Sequence, residues 1–376
     1  GLPAVDGSQI SGVAVEDTTS FEGATSANIT LDLSADDYFN IEAGGDFDIS
    51  FSGLNNGVLK RALVEVINGG DHNITWSNVA WDGGSIPTLT SLSGQWDIGN
   101  ANFTKSIDKN NTDNDVSGIF FKPDGTKMYI TGIQNVNIYQ YNLSTPWDLN
   151  SAGLEKTFDV SGQSSGPSGL FFGDSGSKMY FVDGTNESLF QYALSTPWEI
   201  DTASHEKTAD VFGIDPNVES VFFKPDGAKM YILGSFDETL MEFTLSTSWD
   251  IATRTFNGSL NLSGDTTDPR DVFFKDDGSK LYITRNDGDK VTQFALSTSW
   301  DITSANNEKE LDISNILLNP TGIAFKNDGT KMYLLSEDGG VFYQYAVGDT
   351  GNDLIEFIAV DDGTTPLRGR KVWASA

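Results

Sequence analysis

SLSGQWDIGN, residues 91–100, is a worn copy of YNLSTPWDLN at 141–150. Their tryptophans, Trp96 and Trp147, are 51 residues apart, and LSTPWEI, LSTSWDI and LSTSWDI put Trp198, Trp249 and Trp300 on the same step. A sixth copy would fall at Gly351, which lies in unrelated sequence. A second marker keeps the same period: KPDGTKMYI, GDSGSKMYF, KPDGAKMYI, KDDGSKLYI and KNDGTKMYL hold Gly125, Gly176, Gly227, Gly278 and Gly329 in register.

A unit of 40 to 50 residues with several strand signals is the size of a propeller blade. Each copy reads as four short strands, for instance SGIFF, KMYIT after the Asp-Gly turn, NIYQYNL and EKTFDV. The turn glycine supplies the positive φ that a side chain resists. The runs IFF, LFF, VFF, VFF and IAF are apolar without alternation, as expected of a strand held between neighbouring blades. Gly118, Gly169, Ser220 and Gly322 precede them, where small residues suit a crowded axis. The tryptophans are read as structural, each burying roughly 150 to 250 Å².

The last repeat, TGIAFKNDGTKMYLLSEDGGVFYQYAV, stops after its third strand. The copy at 91–100 opens a fourth near ANFTKSID, so a strand from the start of the array is expected to close the ring and remove its free edge. The fold expected is all-β: a five-bladed β-propeller over 91–348, inserted into a discontinuous β-sandwich made of 1–90 and 349–376. The flanks support a host domain, with strand-like NITLDL, FDISFSG, RALVEVI and NITW before the array and LIEFIAV after it.

The chain has 376 residues, no cysteine and a formal net charge of −31. Lack of cysteine excludes disulfides, thiol catalysis and Cys-based metal sites. The charge argues against nucleic acid, whose phosphates it would repel. Acidic excess is read first as solubility, and next as divalent-cation sites or a basic partner. No apolar run reaches the roughly 18 to 20 residues of a membrane-spanning helix, so no membrane insertion is expected. The chain starts at Gly1 without Met and is read as a piece of a longer protein.

Joined across the array, INGGDHNITWSNVAWDGGSIPTLT and TGNDLIEFIAVDDGTTPLRGRKVW carry Trp76, Trp81, Gly83, Gly84, Pro87, Asp353, Glu356, Phe357, Asp362 and Gly363. This pattern resembles a small β-sandwich found near the C-terminal ends of phage tail and other virion proteins. It departs from that family at Thr364, where a second glycine is usual, and at Pro366 and Leu367, where aromatics are usual. The repeats are similar to FFKPDGTKMY…LSTPWD arrays of marine phage surface proteins. These resemblances imply a virion component of the tail or its fibres, with a role in structural display or host attachment. They imply other virion proteins as partners of the sandwich, a host glycan or protein as partner of the propeller, and a homo-oligomer. Neither brings catalytic residues, and the expectation is that the chain is not an enzyme.

Strand order assigns every loop to a face. Asp-Gly turns and STPW turns share one face, which repeats almost unchanged. The second-to-third-strand turns and interblade connections share the other, which varies from blade to blade and can therefore recognise a partner. On that face the expected ligand-contacting residues are Phe212, Glu219, Phe236, Asp237, Arg270 and Asp271, with Ile214, Leu317 and Asp115 nearby. Calcium is a candidate cofactor at Asn286, Asp287 and Asp289, whose oxygens suit a hard cation without completing a known loop motif. The alternative readings are a purely structural virion part and a glycan hydrolase. Some five-bladed propellers hydrolyse glycosides with paired axial carboxylates, and the aligned axial positions here are Ser117, Ser168, Glu219, Arg270 and Thr321, with Asp271 adjacent.

Overall fold

Each 51-residue repeat folds as one antiparallel four-stranded sheet. The computed structural model describes residues 95–348 apart from 109–112, 212, 214 and 338–339, together with strands within 18–81 and 353–374. Two compact units divide the chain, one of Gly1–Gln95 with Gly348–Ala376 and one of Trp96–Val347.

In the first unit, β1 (Thr18–Ser20), β2 (Ile29–Asp32), β3 (Tyr38–Glu42), β4 (Phe47–Ser52), β5 (Leu59–Ile67), β6 (Ile74–Trp76) and β7 (Val79–Trp81) alternate between two sheets. One sheet runs β2-β4-β6; the other runs β1-β3-β5 and then continues through the C-terminal strands Asp353–Val360 and Leu367–Ala374 to β7. Because the chain changes sheet at every step, strands two apart run parallel, as Phe39 opposite Val64 and Ile49 opposite Ile29 show. Of the residues that carry the resemblance to virion sandwiches, the stretch 82–90 and Asp362, Gly363, Thr364 and Pro366 lie outside the described residues.

The second unit opens with β8 (Ala101–Asp108). Four complete blades follow: β9 (Val116–Phe121) to β12 (Ala152–Asp159), β13 (Pro167–Gly173) to β16 (Ala203–Asp210), β17 (Val218–Phe223) to β20 (Arg254–Asn261), and β21 (Pro269–Phe274) to β24 (Ala305–Asp312). The fifth sheet is β25 (Pro320–Phe325), β26 (Lys331–Ser336), β27 (Val341–Val347) and β8, with Val341 opposite Asp108 and Val347 opposite Ala101. The described residues are thus all-β, forming a five-bladed propeller in the second unit and two sheets in the first. The only described helices are short 3-10 turns, such as Ile98–Asn100, five of which follow the repeat tryptophans. Asp97, Asp148, Asp250 and Asp301 cap four of these by accepting the amide two residues on, which gives the Trp-Asp dipeptide a local cause.

The two sequence markers meet in space. Gly125 has φ of 73°, and a Cβ there would enter the ring of Trp147; the same holds for Gly227 with Trp249 and Gly329 with Trp96. In return Trp147 donates its amide to the Gly125 carbonyl oxygen at 3.1 Å. All five tryptophans are themselves left-handed, with φ from 62° to 68°. That conformation is costly for a bulky residue, and burial of the indole against glycine offsets it. Innermost strands approach just as closely. A Cβ on Gly118 would lie 2.7 Å from the Leu170 amide nitrogen, and one on Gly169 would lie 2.5 Å from the Ser220 Cα. At the rim, Lys105, Lys156, Lys207 and Lys309 reach Asp148, Asp201, Asp250 and Asp97 of the neighbouring blade, half-exposed pairs that add little each.

Candidate functional site

The axis has two unlike ends. Toward the face of second-to-third-strand turns, the inner strands are sewn together by hydroxyls one repeat apart: Ser117 Oγ lies 3.0 Å from Ser168 Oγ, and Ser168 donates to the Glu219 carbonyl oxygen at 2.7 Å. Thr321 completes the neck by donating to the Val116 carbonyl oxygen at 2.8 Å. The Glu219 carboxylate accepts from Asn217 and Ser235, each at 2.8 Å, and lies 3.5 Å from the Arg270 guanidinium. Arg270 turns mainly to Asp268, 2.9 Å from its Nε. Burial raises the Glu219 carboxyl above its usual range against the opposing pull of Arg270.

Around this end the loops are held by inward carboxylates. Asp113 accepts the amides of Asp115 and Asn135, and Asp215 accepts those of Asn217, Phe236 and Asp237. Gly132 and Gly234 make room for them, since a Cβ at either would collide with the carboxylate. In the second blade the arrangement is exchanged: Ser164 takes the aspartate's place and Asp183 takes the glycine's, and Asp183 bonds Ser164, Ser165 and Asn186. These buried aspartates shape loops. Phe236 stands out, 69 % exposed, beside exposed Asp237, and Ile316 and Leu318 on the connection to the fifth blade are 42 % and 56 % exposed.

Of the residues expected to contact a ligand on this face, Glu219, Phe236, Asp237 and Arg270 are there. Phe212 and Ile214 lie outside the described residues. Leu317, 1 % exposed, belongs to the core between its exposed neighbours. Asp271 needs correction too. It falls in the slot of Gly118, Gly169 and Ser220, so its side chain is enclosed between blades and not displayed. The calcium trio does not converge. Asn286 bonds Asp268, Asp287 accepts from Thr266 at 2.5 Å, and Asp289 accepts the Asn319 amide at 2.8 Å. Among the described residues no three His, Cys, Asp or Glu side chains form a group suited to a metal.

The opposite end of the axis is open. A cavity of about 400 Å³ enters between the Asp-Gly turns, past Pro123, Asp174, Pro225, Asp276 and Asn327, and descends to Asp271. Four phenylalanines one repeat apart stand around it edge to face: Phe120 and Phe171 at 5.2 Å between ring centres, Phe171 and Phe222 at 5.0 Å, Phe222 and Phe273 at 5.6 Å. The fifth position is Ala324, which leaves the ring of aromatics incomplete. Sequence reading missed this site because the apolar triplets look alike at all three positions. Its one visible signal was IAF in place of a second phenylalanine.

No family model and no curated protein matches the chain. Several solved structures are similar. One is a functionally unknown protein from Desulfotomaculum acetoxidans DSM 771, at 13 % identity and a TM-score of 0.38, with 64 % of this chain and 65 % of that one covered. Another is the periplasmic gluconolactonase PpgL of Pseudomonas aeruginosa, at 19 % and 0.34, with 52 % and 53 % covered. A third is the Cps50 (Swd1) β-propeller domain of Myceliophteria thermophila, at 9 % and 0.40, with 66 % and 99 % covered. The chain therefore spans less than two thirds of the length of the first two. The expectation that this chain is not an enzyme is withdrawn here, because a structure named as a gluconolactonase is among those it resembles. At that identity and score the likeness itself brings no activity, substrate or residue role to this chain.

Proposed function

We propose that the chain is a virion-surface module of a tail or fibre, and that its propeller attaches to a host-surface glycan through the face of second-to-third-strand turns. The observation that carries this reading is the exposure of Phe236, Ile316 and Leu318 on loops that differ between blades, around the polar group of Glu219, Arg270 and Asp268. Exposed rings stack on the apolar faces of sugars, while carboxylate and guanidinium groups bind their hydroxyls. Placement in a virion rests on the resemblance of the flanks and repeats to phage proteins. On this reading the propeller is an insertion in the loop of a β-sandwich, the sandwich meets other virion proteins, and several copies of the chain assemble together. Phe236→Ala and Arg270→Ala should each weaken adsorption to host cells at least about tenfold with little change in melting temperature. Adsorption unchanged by both, or lost equally to cells stripped of glycan and to cells that retain it, overturns the glycan reading; the second outcome points to an envelope protein.

Hydrolysis of a surface polysaccharide is the second reading, favoured by two carboxyls that burial holds above their usual range, Glu219 and Asp271. It predicts release of reducing sugar that Glu219→Gln abolishes. Only Asp271 of the pair lines the axial cavity, so a shared role would need substrate to reach both ends of the neck.

A further inference from the structure

We propose that the axial cavity on the Asp-Gly face is a second ligand site, built for a small organic cation with a slender apolar body whose charged head reaches Asp271.

The walls set the body. From rim to floor the cavity is lined by Phe120, Phe171, Phe222 and Phe273, backed by tryptophans, and its volume of about 400 Å³ suits a small molecule. The phenylalanine centroids stand 5.0 to 5.6 Å apart, so a fifth would fill the axis. Ala324 in that place leaves the ring open on one side, where Ala324 and Phe325 line the cavity that reaches Asp271.

The charge of the lining sets the head. Asp174, Asp271 and Asp276 line the cavity, and no Lys, Arg or His does. The nearby lysines are committed at the turns: Lys122 to Asp124, Lys224 to Asp226, Lys275 to Asp277 and Lys326 to Asp328, at 2.5 to 2.7 Å. An anion entering the cavity would meet repulsion without compensation, whereas a cation would gain from the carboxyls and from the faces of the rings.

The floor is prepared for one more donor. Asp271 Oδ1 accepts the Ser220 hydroxyl at 2.5 Å and the Val272 amide at 2.8 Å, and Oδ2 accepts the Ile323 amide at 2.8 Å. A carboxylate has about four acceptor positions, so one on Oδ2 is left beyond these three bonds. Burial raises this carboxyl to about 7, the sign of a group whose charge has no cation beside it. The other four blades place Gly118, Gly169, Ser220 and Gly322 here, so the acid is a singular departure within the repeat.

The test is titration of the whole chain with 2-phenylethylammonium, 2-phenylethanol and phenylacetate at about pH 8, followed by tryptophan fluorescence, since Trp147, Trp198 and Trp249 line the cavity. The amine should bind at least about tenfold more tightly than the alcohol, and phenylacetate should not bind. Ala324→Phe, which completes the ring, should abolish amine binding while the chain stays folded. Asp271→Asn should bring amine and alcohol to equal affinity. If that variant does not fold, Ala324→Phe with the three probes decides alone. No amine binding at about 10 mM, equal binding of amine and alcohol to the natural chain, or undiminished binding to Ala324→Phe overturns the proposal.

Discussion

Tyr282 donates its hydroxyl to the carbonyl oxygen of Trp96, 186 residues earlier in the chain, at 2.5 Å. Each second-strand tyrosine makes this bond to the tryptophan of the next blade: Tyr129 to Trp198, Tyr180 to Trp249, Tyr231 to Trp300 and Tyr333 to Trp147, at 2.6 to 2.9 Å. Burial pushes these phenols far above their ordinary range, so they remain donors at every accessible pH. Tyr282→Phe leaves a buried carbonyl without this donor and should cost about 1 to 3 kcal/mol in urea unfolding. Tyr129→Phe should cost about the same, because the bond across the ends of the array is made like the others. A Tyr282→Phe chain as stable as the parent would show that this bond adds nothing.

Deletion of residues 96–108 removes β8 and the Trp96 turn together, leaving β27 as a bare edge and Gly329 without its indole. The expected result is loss of the cooperative melt. A melt with unchanged midpoint would show that the ring does not depend on β8.

Glycines of the repeat differ in what they tolerate. Gly227, at φ of 70° with Trp249 against it, should lose well over about 1 kcal/mol on substitution by Ala. Gly153 on an outer strand has open space where a Cβ would stand, so Gly153→Ala should be neutral or slightly stabilising. Equal melting temperatures for the two variants would contradict the glycine and tryptophan pairing.

Asp271 also makes stability depend on pH. Burial raises its carboxyl from the ordinary 3.8 to about 7, so between these values the folded chain holds the proton that the unfolded chain has lost. The stabilisation from this group is therefore full below about pH 4, falls by at most roughly 1.4 kcal/mol per unit as pH rises toward 7, and is level above. In Asp271→Asn that slope should vanish. Unfolding free energies of parent and variant that run parallel from pH 4 to 8 would exclude the effect, within roughly 1 kcal/mol.

The five-bladed architecture was legible because Gly125 and Trp147 and their copies mark both partners of one contact on a single period. The assignment of loops to two faces followed from antiparallel strand order alone. The axial cavity was hidden because a strand between two blades is apolar on both sides. In IFF and its copies nothing distinguishes Phe120, which stands edge to face with Phe171 in the ring about the axis, from Phe121, which packs against Trp147 and against Tyr333 of the neighbouring blade. Asp271 was misplaced for a related reason: next to Arg270 it looked like a displayed loop charge, while its register with Gly118 and Gly169 put it between strands. Leu317 looked exposed because its neighbours Ile316 and Leu318 are.

The pairing of Ala101 with Val347, and of Asp108 with Val341, has a mechanical consequence. Both places where the chain enters and leaves the propeller lie at one end of this ladder, so tension that draws Gln95 from Gly348 does not load its rungs in parallel. It opens them in sequence, beginning at Ala101, as a zipper opens. The blade that holds both ends of the array is then the first to yield under force, at a load set by a few hydrogen bonds at a time, while the other four sheets carry none of it until the seam has parted.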